Sequence, residues 1–221
     1  MVKYVKEDSL PKGEFVVKKI ITIGRQFATE GSEVGKLLSE MTGIPCYDKE
    51  ALTKLSEKHG IPAETFEKAD EQATSSFLYS LAMSSYSGNI AHYGMNDFVL
   101  TDRVFNIQSA EIRKIASAGD CIIIGRCADE VLSDYEGVLK IFLHAPLEYR
   151  VNVLAKYGET DENAAKKQIA KADKKRASYY NFYTGKGWGD PKNYNLNIDC
   201  SLLGTEGTAK LIKNVIDEYY K

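Results

Sequence analysis

Residues 16–43 read VVKKIITIGRQFATEGSEVGKLLSEMTG, and this stretch holds three local structures in succession. Val16 to Ile23 is rich in β-branched residues, the composition of a short strand. Gly24-Arg25-Gln26-Phe27-Ala28-Thr29-Glu30-Gly31 follows as a loop of mostly small and polar residues. From Ser32 to about Thr42, the residues Val34, Leu37, Leu38 and Met41 recur every three or four positions, which is one apolar face of an α-helix. Gly43 then supplies the usual helix stop. A strand that hands its chain through a loop to a helix start aims main-chain N–H groups and the positive end of the helix dipole at one place, which attracts an anion. Small residues let such amides turn inward, and Gly24, Ala28, Thr29, Gly31 and Ser32 qualify. The spacing departs from GxxxxGK[ST], because Gly31 is followed by Ser32-Glu33 and not by lysine. Arg25 is the one cation in the loop and its candidate phosphate partner. An ordinary strand-to-helix turn has the same outline.

Outward from this unit, Ile44-Pro45-Cys46-Tyr47 is a short extended piece, and Asp48 is placed to cap a helix starting at Lys49. Residues 61–100 mix serine, glycine and aromatics with irregular breaks, and read equally as an inserted substrate-facing lobe or a two-helix packing arm. Thr101 to Gly119 is helical, with Val104, Ile107, Ile112 and Ile115 roughly on one side. Cys121 to Gly125 (CIIIG) is a wholly apolar run, the mark of a strand buried on both faces of a parallel sheet. A short helical stretch over 127–134 precedes a second such run, Val138 to Leu143. Residues 147–157 and 161–180 are helical, 181–195 form an aromatic- and glycine-rich loop, and Leu196 to Ile198 is a brief strand. Ala209, Leu211, Ile212, Val215 and Ile216 mark a C-terminal helix. Strands alternating with helices predict an α/β fold, a doubly wound parallel sheet with right-handed crossovers and ligands at the strands' carboxyl ends.

At 221 residues the chain needs only one core. Lys and Arg total 29 against 31 Asp and Glu, a net charge of -2, so the basic excess of a nucleic-acid binder is missing. Cys46, Cys121, Cys127 and Cys200 form no CxxC pair, which suits buried thiols in a reducing compartment better than disulfides or zinc. The amino terminus, MVKYVKEDSLPKGEF, is a polar leader without the apolar core of a signal peptide, and no apolar run approaches membrane-spanning length. A cytoplasmic protein without membrane or nucleic-acid partners is expected.

Three stretches resemble the cytidylate kinase-like proteins, a divergent branch of the P-loop nucleoside monophosphate kinases. They are ITIGRQFATEGSEVGKLLSEMTGIPCYDKEAL (21–52), GRCADEVLSDYEGVLKIFLHAPLEYR (125–150) and KKRASYYNFYTGKGWGDPKNYNLNIDCSLLG (174–204). The resemblance implies a P-loop nucleoside-monophosphate-kinase-like domain over 1–221, a parallel sheet flanked by helices. Its core would be about 16–60 and 101–221, with a helical acceptor-binding insertion at about 61–100 and a lid at about 160–195. It further implies phosphoryl transfer from ATP, with Mg²⁺, to a nucleoside monophosphate, CMP or dCMP being the acceptors of true cytidylate kinases. Carried onto this chain, Gly24, Arg25, Ala28, Thr29, Glu30, Gly31 and Ser32 would face the donor phosphates. Asp48, Arg126 and Asp129 would serve the acceptor, and Arg25, Lys175 and Arg176 would set cations against the transferred group. Asp199 and Ser201 match the family's Asp-x-Ser. Four places depart from the pattern: Ser32-Glu33 replaces Lys-Ser/Thr, Glu30 replaces a glycine, Cys127 replaces the aspartate of Gly-Arg-Asp, and the run after Arg150, Val151-Asn152-Val153-Leu154, is poorer in cations.

Phosphoryl transfer is mostly charge neutralisation and in-line positioning, for which guanidinium groups are well shaped. Capping alone would also explain Asp48, a first helical turn would explain Asp129, and a solvated lysine-rich face would explain Lys175 and Arg176. Tyr179, Tyr180, Phe182, Tyr183 and Trp188 fit stacking on a nucleobase, packing of the lid, or the contact of a homodimer. No metal site made wholly of protein ligands is expected. Three functions therefore stand side by side: a nucleoside monophosphate kinase, a nucleotide-binding or interaction protein that has lost phosphoryl transfer on the same scaffold, and a kinase for some other small phosphorylatable acceptor.

Overall fold

The computed structural model describes residues 18–58, 93–158 and 161–221, of which Ser56 and 93–100 are described as backbone only. The leader expected over 1–17 and the part of the expected insertion before Tyr93 lie outside the described residues.

The strand read from the first stretch is β1 (Ile20–Arg25), and α1 (Gly31–Thr42) follows its loop. Gly43 ends α1 at φ 72°, its N–H bonded to the Ser39 carbonyl at 2.8 Å. The short β2 (Cys46–Tyr47) leads to α2 (Lys49–Glu57), where the Asp48 carboxylate accepts from the Ala51 amide at 3.0 Å and caps the helix as its sequence position anticipates. Next comes α3 (Tyr93–Ala118), which begins eight residues before the expected Thr101. The sequence signal misled there because Gly94 in the stretch before Thr101 suggested a break. The remaining elements are β3 (Cys121–Ile124), the single turn α4 (Ala128–Val131), β4 (Val138–His144), α5 (Leu147–Lys156), α6 (Glu162–Thr184), β5 (Leu196–Asp199) and α7 (Gly204–Tyr219). The long helix α6 runs four residues past Tyr180, into the expected loop, and stops at Gly185 with φ 68°.

The five strands are all parallel, in the order β2-β3-β1-β4-β5. Side chains alternate across the sheet, as a strand's period of two requires. Ile21, Ile23, Ile122 and Ile141 pack with Val34 and Leu38 of α1 and Ile212 and Ile216 of α7. On the other face Ile20, Cys121 and Ile123 pack with Leu52 of α2, Ile112 of α3 and Tyr180 of α6. Burying each such isoleucine contributes about 1.5–3 kcal/mol, so both faces carry the sheet. A third, smaller core joins Val151 and Leu154 of α5 to Ala165 and Ile169 of α6, with Phe27 and Ala28 packed against it.

The chain goes from β1 out to the β2 edge, returns to β3, and then crosses β1 to β4. That reversal opens a crevice at the carboxyl end of β1, where Ile23 lies between Ile124 and Ile141. All four cysteines are free thiols, three of them buried. Among the described residues no helix is long and apolar enough to cross a membrane.

Candidate active site

The turns after β1 and β3 frame the crevice, and both run through left-handed backbone. Ala28 (φ 58°) and Glu30 (φ 54°) lie in the first turn, and Gly125 (φ 74°), Arg126 (φ 57°) and Cys127 (φ 54°) are consecutive in the second. No other described non-glycine residue has positive φ. Each such residue costs on the order of 1–3 kcal/mol and persists only where its surroundings impose it. In the second turn the Ala128 amide bonds Gly125 O at 3.1 Å, the Val131 amide bonds Cys127 O at 2.8 Å, and the Cys127 side chain is buried. The result sets Arg126 at the rim of β3.

Between these turns and α6 lies a cleft of about 250 Å³. Five cations line it: Arg25 from β1, Lys49 from α2, Arg126 from the β3 turn, and Lys175 and Arg176 from α6. Among the described residues the one carboxylate in its wall is Asp129, 5% exposed and bonded by the Tyr180 hydroxyl at 2.7 Å. Burial pushes the Asp129 carboxyl up, against a smaller lowering by the Tyr180 hydroxyl. Burial also raises the Tyr180 and Tyr194 phenols, so both stay protonated donors at neutral pH. A chain of net charge -2 thus gathers a local positive field in a walled cleft, where opposite charge is concentrated.

Arg25 does not stay within its own loop. A Cβ on Gly31 would lie 2.9 Å from the Arg25 Cγ, and one on Gly125 would lie 2.0 Å from its guanidinium. The side chain therefore passes over two positions that only glycine leaves open, and its head rests against Gly125 at the end of β3.

The loop itself faces a different set of groups. No described backbone carbonyl accepts from the amides of residues 28–33. Thr29 is buried and its hydroxyl donates to Gln26 O at 3.0 Å, while Ser32 is exposed on the first turn of α1. The Glu30 carboxylate accepts from Thr205 Oγ1 at 2.9 Å and Tyr157 Oη at 3.4 Å, which turns it toward α7 and away from the cationic cleft. Asp173 of α6 accepts from the Phe27 amide at 2.8 Å and pairs with Arg150 of α5.

Of the residues singled out in the sequence, Gly24, Arg25, Arg126, Asp129, Lys175 and Arg176 come together in the cleft. Ala28, Thr29, Glu30, Gly31 and Ser32 form the neighbouring loop, and Asp48 sits at the start of α2 beside Lys49. Sequence reading missed Lys49, Arg150 and Asp173. Two signals were available. Arg150 falls in phase with the buried Val151, Val153 and Leu154 of α5, an expensive place for a charge without a partner. Asp173 is the sole acid in the lysine-rich run from Lys166 to Arg176.

The cytidylate kinase-like family model matches residues 20–202, the segment that contains β1, both turns and α6. The chain belongs to the cytidylate kinase-like family. It is 25% identical over 212 residues to a cytidylate kinase of Methanopyrus kandleri, covering 92% of this chain and 95% of that one. In three dimensions it is similar to an uncharacterized protein of Eubacterium ventriosum, with a TM-score of 0.68, 25% identity, and coverage of 90% of this chain and 99% of that one. A shikimate kinase of Bacteroides thetaiotaomicron shares the fold at a TM-score of 0.51 and 12% identity, covering 91% of this chain and 99% of that one. In the β1–α1 loop of this chain the Glu30 side chain is bonded by Thr205 and Tyr157, outside the cleft.

Proposed function

We propose that this protein transfers the γ-phosphoryl group of ATP to a nucleoside monophosphate, with CMP or dCMP as the acceptor. The observation that carries the reading is the convergence of five cations from four elements on one cleft at the carboxyl ends of β1 and β3. Phosphoryl transfer spreads negative charge over the equatorial oxygens of the moving group, and fixed guanidinium and ammonium groups oppose that charge without reorganising. Arg25 and Arg126, which both line the cleft at the strand ends, suit the acceptor phosphate. Lys175 and Arg176 come from the opposite wall.

The donor polyphosphate fits the β1–α1 loop, where the amides of residues 28–33 have no carbonyl partner among the described residues and α1 begins. Mg²⁺ fits as part of the nucleotide complex. Among the described residues no three metal-ligating side chains stand together, and Mg²⁺ commonly takes most of its ligands from phosphates and water. Ser32 is the exposed hydroxyl the loop would offer it. When bound, the ion neutralises charge on the phosphate oxygens. The aromatic side of the cleft, Tyr179, Tyr180, Trp188 and Tyr194, suits a nucleobase.

A second reading, a nucleotide-binding protein without turnover, is favoured by two features: no lysine follows Gly31, and a carboxylate holds a loop amide. Incubation with Mg-ATP and each nucleoside monophosphate in turn, with ADP measured, separates the two. ADP formation greatest with CMP or dCMP is expected. No ADP with any acceptor, while ATP and CMP still bind, selects the second reading.

A further inference from the structure

The β1–α1 loop is gripped from the side opposite the sheet by a small polar assembly. One Asp173 oxygen accepts from the Phe27 amide at 2.8 Å and the other from the Arg150 guanidinium, which also reaches the Phe27 carbonyl at 3.5 Å. One turn further along α6, Arg176 donates to the Arg25 carbonyl at 2.9 Å and lies over the Phe27 ring, 5.5 Å from its centre. Beneath, Phe27 and Ala28 sit on the apolar seat made by α5 and α6. We propose that Asp173 is a positioning residue for the phosphate loop, acting through the Phe27 amide and Arg150 and not by touching substrate. The proposal rests on reading this loop as the donor site.

The strain in the loop is what makes such a residue necessary. Ala28 and Glu30 hold left-handed backbone without being glycine, and such turns relax unless neighbours fix them. Asp173 holds the Gln26–Phe27 peptide through its N–H, and Arg150 reaches the carbonyl of the Phe27–Ala28 peptide. A buried ion pair adds little net stability by itself, yet both charges here converge on the two peptides that flank Phe27. Arg150 is 8% exposed, and its Nε lacks a partner among the described groups. Its charge is thus offset chiefly by Asp173, so loop, α5 and α6 depend on one carboxylate. Movement of α6 then necessarily changes the loop.

Asp173→Ala alone would leave a buried guanidinium without its counter-charge, so two other variants carry the test. Asp173→Asn beside Arg150→Met keeps an oxygen for the Phe27 amide and no buried charge, while Asp173→Leu beside Arg150→Met removes that oxygen as well. Hydrogen exchange at the Phe27 amide is measured in the free protein, and ATP and CMP binding are measured separately, each without the other. In the folded variant with Asp173→Leu beside Arg150→Met, exchange at Phe27 is expected to accelerate and ATP to bind about tenfold or more weakly, with CMP affinity held within about twofold. Asp173→Asn beside Arg150→Met is expected to recover most of both changes. A folded variant with Asp173→Leu beside Arg150→Met that shows unaltered Phe27 exchange, or ATP affinity within about twofold of the parent, overturns the proposal. A parent protein that binds ATP but phosphorylates nothing defeats the kinase reading alone, since the same two measurements still judge Asp173. If the parent binds no ATP, the donor-site reading fails and the proposal falls with it.

Discussion

Arg126 stands in left-handed backbone, φ 57°, between Gly125 and Cys127, which share that conformation. Neither residue gains from its φ, so the turn is held by the closure of α4 and the burial of Cys127, and what it achieves is the placement of one guanidinium. Arg126→Ala should therefore lower kcat/KM for the nucleoside monophosphate by about 100-fold, the scale of a charge-assisted phosphate contact. Its melting temperature should stay near that of the parent, and steady-state kinetics beside thermal unfolding checks both. Asp129 makes the opposite trade, a carboxylate kept where burial disfavours its charge. The folded protein holds this proton more tightly than the unfolded chain does. Its contribution to stability is then largest below the ordinary carboxylate range and falls as pH rises through that range toward the raised folded value. Asp129→Asn should remove this decline, so that the variant gains stability relative to the parent as pH rises above the ordinary carboxylate range. Urea unfolding at a series of pH values measures it.

Among the elements, α1 shows how closely the site unit is packed. Replacing a mid-helix glycine by alanine ordinarily gains about 1 kcal/mol of helix propensity. At Gly35 a Cβ would lie 2.4 Å from the Ile124 Cδ1 and 3.0 Å from the Cys46 Sγ, because the helix rests directly on β3 and β2. Overpacking of that kind costs about 1–3 kcal/mol, which outweighs the propensity gain. Gly35→Ala should thus destabilise by about 1 kcal/mol, read as a lower urea midpoint with an unchanged slope. The joint between α3 and α6 is built differently, from the Phe105–Tyr183 stack at 3.9 Å and the Tyr183 hydroxyl bonded to Asp102 at 3.0 Å. Both helices wall the same side of the sheet, so α6 carries the cleft cations on a braced support.

Over the whole molecule, the four thiols follow the core and not the chemistry. Burial raises Cys46 to about 11, Cys121 to about 12 and Cys200 to about 11, and raises Cys127 as well. Only the thiolate reacts with disulfide reagents, so the native protein should react slowly with an aromatic disulfide at mild alkaline pH. All four thiols should react once it is unfolded, and a thiol titration with and without denaturant counts them. The same scale separates what local sequence encodes from what it does not. Strand, loop and helix between Ile20 and Gly43, the stop at Gly43, the buried CIIIG run and the Asp48 cap were legible, because each depends on residues within one or two turns of one another. The strand itself starts at Ile20 and runs to Arg25, where Ile23 was expected to end it. The α/β class followed from their alternation, and Arg126 was visible as a cation just beyond a buried strand. The start of α3 was not legible, since a glycine near a helix end says little about whether packing carries the helix through it. The route of Arg25 to Gly125 and the meeting of Phe27 with Asp173, 146 residues apart, were decided by the tertiary structure alone. They depend on β3 lying beside β1 and on where α6 crosses the strand ends, and no periodicity within a single element carries that information.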